Sequence, residues 1–163
     1  MPDRCDGQGQ RWPWFALALA IIVFDQLAKL YFNGSYEYGV PHAVIPGVLN
    51  FTLMYNPGAA FSFLASAGGW QKHVFSVLAF IVSGWLAWNI AKGRFSCLMN
   101  WAGAFIIGGA LGNVVDRLAY GHVVDFIQVY YRDWYYPTFN LADSFICVGA
   151  ALMVLDSFKK PVR

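Results

Sequence analysis

Four stretches of this chain are long enough and apolar enough to cross a lipid bilayer, at about 12–32, 74–91, 98–118 and 139–158. A bilayer-spanning helix needs roughly 20 mostly apolar residues. In lipid every backbone polar group must be satisfied internally, so such stretches can only be helices. The fold expected is therefore an all-α membrane protein of four transmembrane helices. Composition agrees, since only 12% of the 163 residues are charged against about 25% in an ordinary soluble domain. The length is that of one domain, and 1–163 reads as a single integral membrane unit. The first apolar run is too long for a signal-peptide core, contains Asp25 and Lys29 and lacks a clear cleavage site, so it reads as a retained span.

Lys and Arg set the expected orientation. Arg4 and Arg11 precede the first span, Lys92 and Arg94 fill the turn between the second and third, and Lys159, Lys160 and Arg163 follow the fourth. The opposite side has only Lys72 and Arg132 in its loops. The positive-inside rule puts both termini in the cytoplasm and the loops at about 33–73 and 119–138 outside. A net charge of +2 gives no reason to expect a nucleic-acid partner. Cys5, Cys97 and Cys147 show neither a disulfide framework nor zinc spacing and read as small incidental thiols.

The outer loops carry pattern. Residues 48–55 alternate as a strand does, with Leu49, Phe51, Leu53 and Tyr55 on one face, and Asn56-Pro57-Gly58 signals a turn. Residues 59–67 suit a short interfacial helix ended by Gly68-Gly69. Residues 122–136 read as extended, with a turn at Arg132-Asp133 and aromatic residues suited to the headgroup level. Gly108 and Gly112 form a small-xxx-small pair for close helix packing.

Ionisable groups inside membrane segments are rare, costly and functional by default. Here they gather at one depth. Asp25 and Lys29 lie in the outer half of the first span, four apart on one face. Asn113, Asp116 and Arg117 lie near the outer end of the third, and Asp125 just beyond it. Asn140 and Asp143 open the fourth. Several have plain structural explanations. Asp25 with Lys29 makes an intrahelical ion pair, Asp116 an anchor or salt-bridge partner, Asn140 a helix cap, and Asn56 and Asn113 can satisfy loop backbone. Arg117 could brace a carboxylate or hold a substrate carbonyl. His122 stands alone and reads as structural or solvated. Asp125 and Asp143 have no local cation at helical spacing and meet at one level. Two carboxylates in a low-dielectric site cannot both ionise easily, so they share a proton. That is the state in which one acid activates water and the other donates to a scissile carbonyl. No Gly-x-Ser-x-Gly or His-Glu-x-x-His pattern offers serine or zinc chemistry instead.

These residues fall in five ordered boxes: 25–29 (DQLAK), 56–61 (NPGAAF), 108–117 (GGALGNVVDR), 123–126 (VVDF) and 139–144 (FNLADS). Together, on four spans, they closely resemble the lipoprotein signal peptidases, or signal peptidase II, polytopic aspartyl proteases of the bacterial inner membrane. The resemblance implies that Asp125 and Asp143 are catalytic, that Asn56, Asn113, Arg117 and Asn140 line the substrate site, and that Asp25 and Lys29 support it. It implies an extracytoplasmic β-cradle in the first outer loop with an interfacial helix over the substrate. Pro57 stands where other members often carry a small polar residue. The implied substrate is a prolipoprotein whose cysteine carries diacylglycerol, cut just before that cysteine at the periplasmic leaflet. Phospholipid is the other expected partner, a monomer the expected assembly, and neither metal nor cofactor is expected.

Overall fold

The computed structural model describes residues 11–58 and 70–158. The elements in order are α1 (Trp12–Ser35), β1 (Pro41–Ile45), β2 (Leu49–Asn56), α2 (Gln71–Lys92), α3 (Cys97–Ala119), β3 (Val123–Tyr131), β4 (Trp134–Tyr135) and α4 (Leu141–Ser157). Helices α1, α2 and α3 are long and apolar enough to cross a membrane. The fourth apolar window is the 17-residue helix α4. The expected helix at 59–67 lies outside the described residues.

The helices are built with apolar groups outward. On α1 the buried face is Ala18, Ile21, Asp25, Lys29 and Phe32, at helical spacing. Leu27 is 60% exposed while Lys29 is 3% exposed. A water-soluble helix would reverse that choice, and only a hydrocarbon surround makes this one favourable. Helix α3 is central and packs on α1, α2 and α4. Glycines make that closeness possible. A Cβ at Gly108 would stand 2.9 Å from the Ala18 carbonyl oxygen of α1, and one at Gly112 would stand 2.9 Å from Asp25 Oδ2. A Cβ at Gly109 would collide with the Ala142 carbonyl oxygen of α4. The packing role expected of Gly108 and Gly112 is thus met, and Gly109 shares it.

Strands β1 to β4 form one antiparallel sheet in sequence order. The turn expected at Arg132-Asp133 joins β3 to β4, with Arg132 at φ 53°. Strand β1 was not legible as a strand: it is fully exposed at the sheet edge and begins with Pro41, where a missing N–H costs nothing. The one-faced pattern expected of β2 is corrected too. Asn50 and Thr52 are buried alongside Leu53, because both donate to Gln128 Oε1 of β3, at 3.2 and 3.1 Å. A register shift between Phe51 and Met54 also breaks the alternation. Phe126 of β3 stacks on Phe32 of α1 with centroids 4.0 Å apart, which seats the sheet on the helices.

The cysteine reading is half right. Cys147 is a free thiol, whereas Cys97 is disulfide-bonded. Cys5 lies outside the described residues.

Candidate active site

Strand β3 and the start of α4 are stitched together just where their aspartates fall. The Phe126 and Ile127 N–H groups donate to the Phe139 carbonyl, and the Phe139 N–H returns a bond to Ile127. That pairing sets Asn140 beside Asp125. Asn140 is the N-cap of α4, and its side chain accepts from the Asp143 N–H at 2.9 Å. The Asp143 carboxylate accepts in turn from the Asn140 N–H at 3.3 Å, completing a reciprocal capping box. With its oxygen engaged, the Asn140 amide nitrogen faces the other way. It donates to Asp125 Oδ1 at 2.7 Å and to Asn113 Oδ1 at 3.1 Å. The cap expected of Asn140 and its place beside the aspartates are one arrangement.

The other asparagines are oriented by the same logic. Asn56, at the end of β2, accepts from the Gly58 N–H at 3.0 Å, so its amide nitrogen turns to Asp125 Oδ2 at 3.3 Å. Asn113 Oδ1 receives Lys29 Nζ at 2.9 Å. Lysine can only donate, so the Asn113 nitrogen points away from it and donates to Asp143 Oδ1 at 2.8 Å. Each carboxylate is therefore held at both oxygens by N–H donors. Asp125 is 1% exposed, and burial, aided by the negative charge of Asp143, pushes its pKa up to about 7. Bonds from Asn56 and Asn140 and the charge of Lys29 oppose that rise without cancelling it.

Arg117 donates to the Asn113 carbonyl at 3.3 Å and lies over the Phe75 ring. Among the described residues its buried Nε has no partner. Asp25 and Lys29 form the expected ion pair at 2.7 Å, and Lys29 also pairs with Asp116 at 2.9 Å. Asp116 is thus a salt-bridge partner and not an interfacial anchor. Gln26, which no sequence reading singled out, donates to Asp116 Oδ1 at 2.8 Å. The signal for it was present: the apolar spans hold more acids than one lysine can match. His122 packs against Tyr55 and Tyr120, as a structural histidine would.

A cleft of about 570 Å³ opens over this cluster. Asn56, Arg117, Asp143 and Ser144 supply its polar wall, and Phe75, Tyr136, Phe139 and Val148 its apolar wall. A few convergent polar groups in a mostly apolar cleft is the usual form of a site for a partly apolar ligand.

Fold and site define a membrane protein with a polar, acid-bearing core that opens onto an apolar-walled cleft. Two solved bacterial membrane enzyme structures share its fold. One has a TM-score of 0.79 at 28% identity, covering 99% of this chain and 96% of its own. The other scores 0.77 at 29% identity, with 98% of both chains covered. The family model described as Signal peptidase (SPase) II matches residues 17–159. A lipoprotein signal peptidase of Chromobacterium violaceum is 71% identical over 154 residues, covering 93% of this chain and 95% of its own length. One from Neisseria meningitidis serogroup C is 56% identical over 144 residues, 88% of each chain. The chain belongs to the signal peptidase II family of membrane proteases.

Proposed function

We propose that this chain removes the signal peptide from diacylglyceryl-modified prolipoproteins, as an aspartyl endopeptidase that cuts just before the lipidated cysteine. The observation that carries the reading is Asn140. Its amide holds Asp125 and its backbone N–H holds Asp143, so carboxylates from β3 and α4 meet at one residue.

In this reading the two acids do different work. Asp125, buried and with its pKa raised, is the proton donor, and Asp143, in the first turn of α4, is the base. Asp143 takes a proton from water as the water oxygen bonds to the scissile carbonyl carbon. Asp125 gives its proton to the carbonyl oxygen, leaving a neutral gem-diol. As the carbon–nitrogen bond breaks, Asp143 returns its proton to the leaving amine and one diol hydroxyl returns a proton to Asp125. The products are a carboxylic acid and the free amine of the lipidated cysteine, and both aspartates are restored. Arg117, Asn56 and Asn113 hold the peptide and the carboxylates, while Asp25 and Lys29 support them from beneath.

The site's depth fits such a substrate. We read α4 as a fourth span: its 17 residues are at the low end of what can cross a bilayer. With both termini cytoplasmic, the acids fall at the periplasmic leaflet of the inner membrane. Acyl chains on the cysteine then stay in the bilayer while the bond beside them reaches the cleft, and phospholipid surrounds a monomeric enzyme. The test compares a diacylglyceryl-modified peptide with its unlipidated twin. The lipidated peptide is cut and its twin is not; a folded sample that cuts neither, or both alike, overturns the reading.

The raised pKa of Asp125 gives a pH prediction. Only the form with Asp125 protonated can donate to the carbonyl, so kcat/KM falls as pH rises through about 7. Rates measured from about pH 5 to about pH 9 should show that descending limb. A profile flat to the upper end would rule out Asp125 as the acid.

A further inference from the structure

Beneath the two candidate catalytic acids lies a second pair of carboxylates that no step of the hydrolysis uses. Asp25 and Asp116 are each 0% exposed. They share one cation and one amide. Lys29 Nζ sits 2.7 Å from Asp25 Oδ2 and 2.9 Å from Asp116 Oδ2. Gln26 Nε2 sits 3.4 Å from Asp25 Oδ2 and 2.8 Å from Asp116 Oδ1. Each carboxylate also accepts one backbone N–H from another element. Asp25 Oδ1 accepts from Ala142 at 2.9 Å, and Asp116 Oδ2 accepts from Val124 at 3.0 Å. Ala142 immediately precedes Asp143, and Val124 immediately precedes Asp125.

We propose that Asp25 and Asp116 are matched positioning residues, each fixing the backbone of one catalytic aspartate through the N–H of the residue before it. Lys29 and Gln26 yoke the two carboxylates, so the segments are held relative to one another as well as to α1 and α3. The third donor position of Lys29 goes to Asn113, which itself donates to Asp143. One ammonium thereby reaches the pair by three routes. A burial this costly needs a return. Charge-assisted bonds to backbone N–H are among the strong ones available to a carboxylate, and misplacing a reacting group by about 1 Å can cost about 100-fold in rate.

This role rests on the reading that Asp125 and Asp143 are the catalytic pair, and the test separates the two claims. Asp116→Ala and Asp25→Ala each lower kcat about 100-fold toward the lipidated peptide with KM unchanged, because neither side chain touches substrate. In amide NMR spectra of the protein in micelles, Asp116→Ala moves the Val124 resonance and spares Ala142; Asp25→Ala does the reverse. Asp116→Asn and Asp25→Asn keep an oxygen for the N–H, so they retain the amide positions and recover most of the turnover. Should the alanine variants fail to fold, these asparagine variants decide. Folded, inactive Asn variants with native amide positions would overturn the proposal, as would alanine variants with normal kcat or with raised KM alone. Asp125→Asn and Asp143→Asn run in the same assay. If they are dead while Asp25→Ala and Asp116→Ala turn over normally, only the positioning role falls. If they are active, the catalytic pair falls and the positioning role with it.

Discussion

Asp125→Asn, and separately Asp143→Asn, abolishes cleavage of a lipidated prolipoprotein peptide while the protein still inserts and purifies as a folded species. Members of a catalytic unit act together, so losing either one lowers kcat by about 10⁴-fold or more. Stability should hardly change. Asparagine has one side-chain acceptor where aspartate has two. At position 125 it can keep the bond from Asn140 or that from Asn56, but not both. One lost bond costs about 1 kcal/mol, and removing a buried acid repelled by Asp143 offsets it. The measurement is turnover beside a melting curve. Near-normal turnover in either variant refutes the pair, and a collapsed melting curve would make the loss one of fold and not of chemistry.

The second large effect is on stability. Lys29→Met keeps the length and apolar stem of the side chain but removes the cation between Asp25 and Asp116. Two carboxylates then face each other with no exposure to water. Removing one partner of a buried charge pair costs about 3–5 kcal/mol, a large share of the roughly 5–15 kcal/mol that holds a domain together. The variant should melt well below the parent in micelles. Adding Asp25→Asn should recover part of the loss, since a single buried acid then remains. If Lys29→Met melts with the parent, Lys29 is not the cation that neutralises this core.

Much of the helical frame was legible because lipid leaves the sequence little choice. The apolar windows mark α1, α2, α3 and α4 to within a few residues. Strand β2 showed through its alternation and β3 through its β-branched and aromatic run, but β1 did not, since an exposed edge strand has no buried face to set a period. The polar cluster was legible only as depth. Counting residues from the membrane surface put Asp25, Asn113, Asp125 and Asn140 at one level, and hydrogen bonds together with the Lys29 ion pair link their side chains into one network. What counting could not give was partnership between helices. Helical spacing pairs Lys29 with Asp25 on its own helix and is silent on Asp116, 87 residues further on, which shares it. The orientation of each asparagine amide was equally out of reach, because it depends on which neighbour can only donate. The glycine pattern on α3 announced close packing but not that Gly109 lies against the turn bearing Asp143.

The double duty of Asn140 has a consequence for a protease that is made before it is finished. The residue that caps the last helix also holds Asp125 through its amide nitrogen, so starting the helix and bringing the acids together go through one side chain. On the proposal that Asp125 and Asp143 are the catalytic pair, a nascent copy whose final segment has not docked owns no cutting edge.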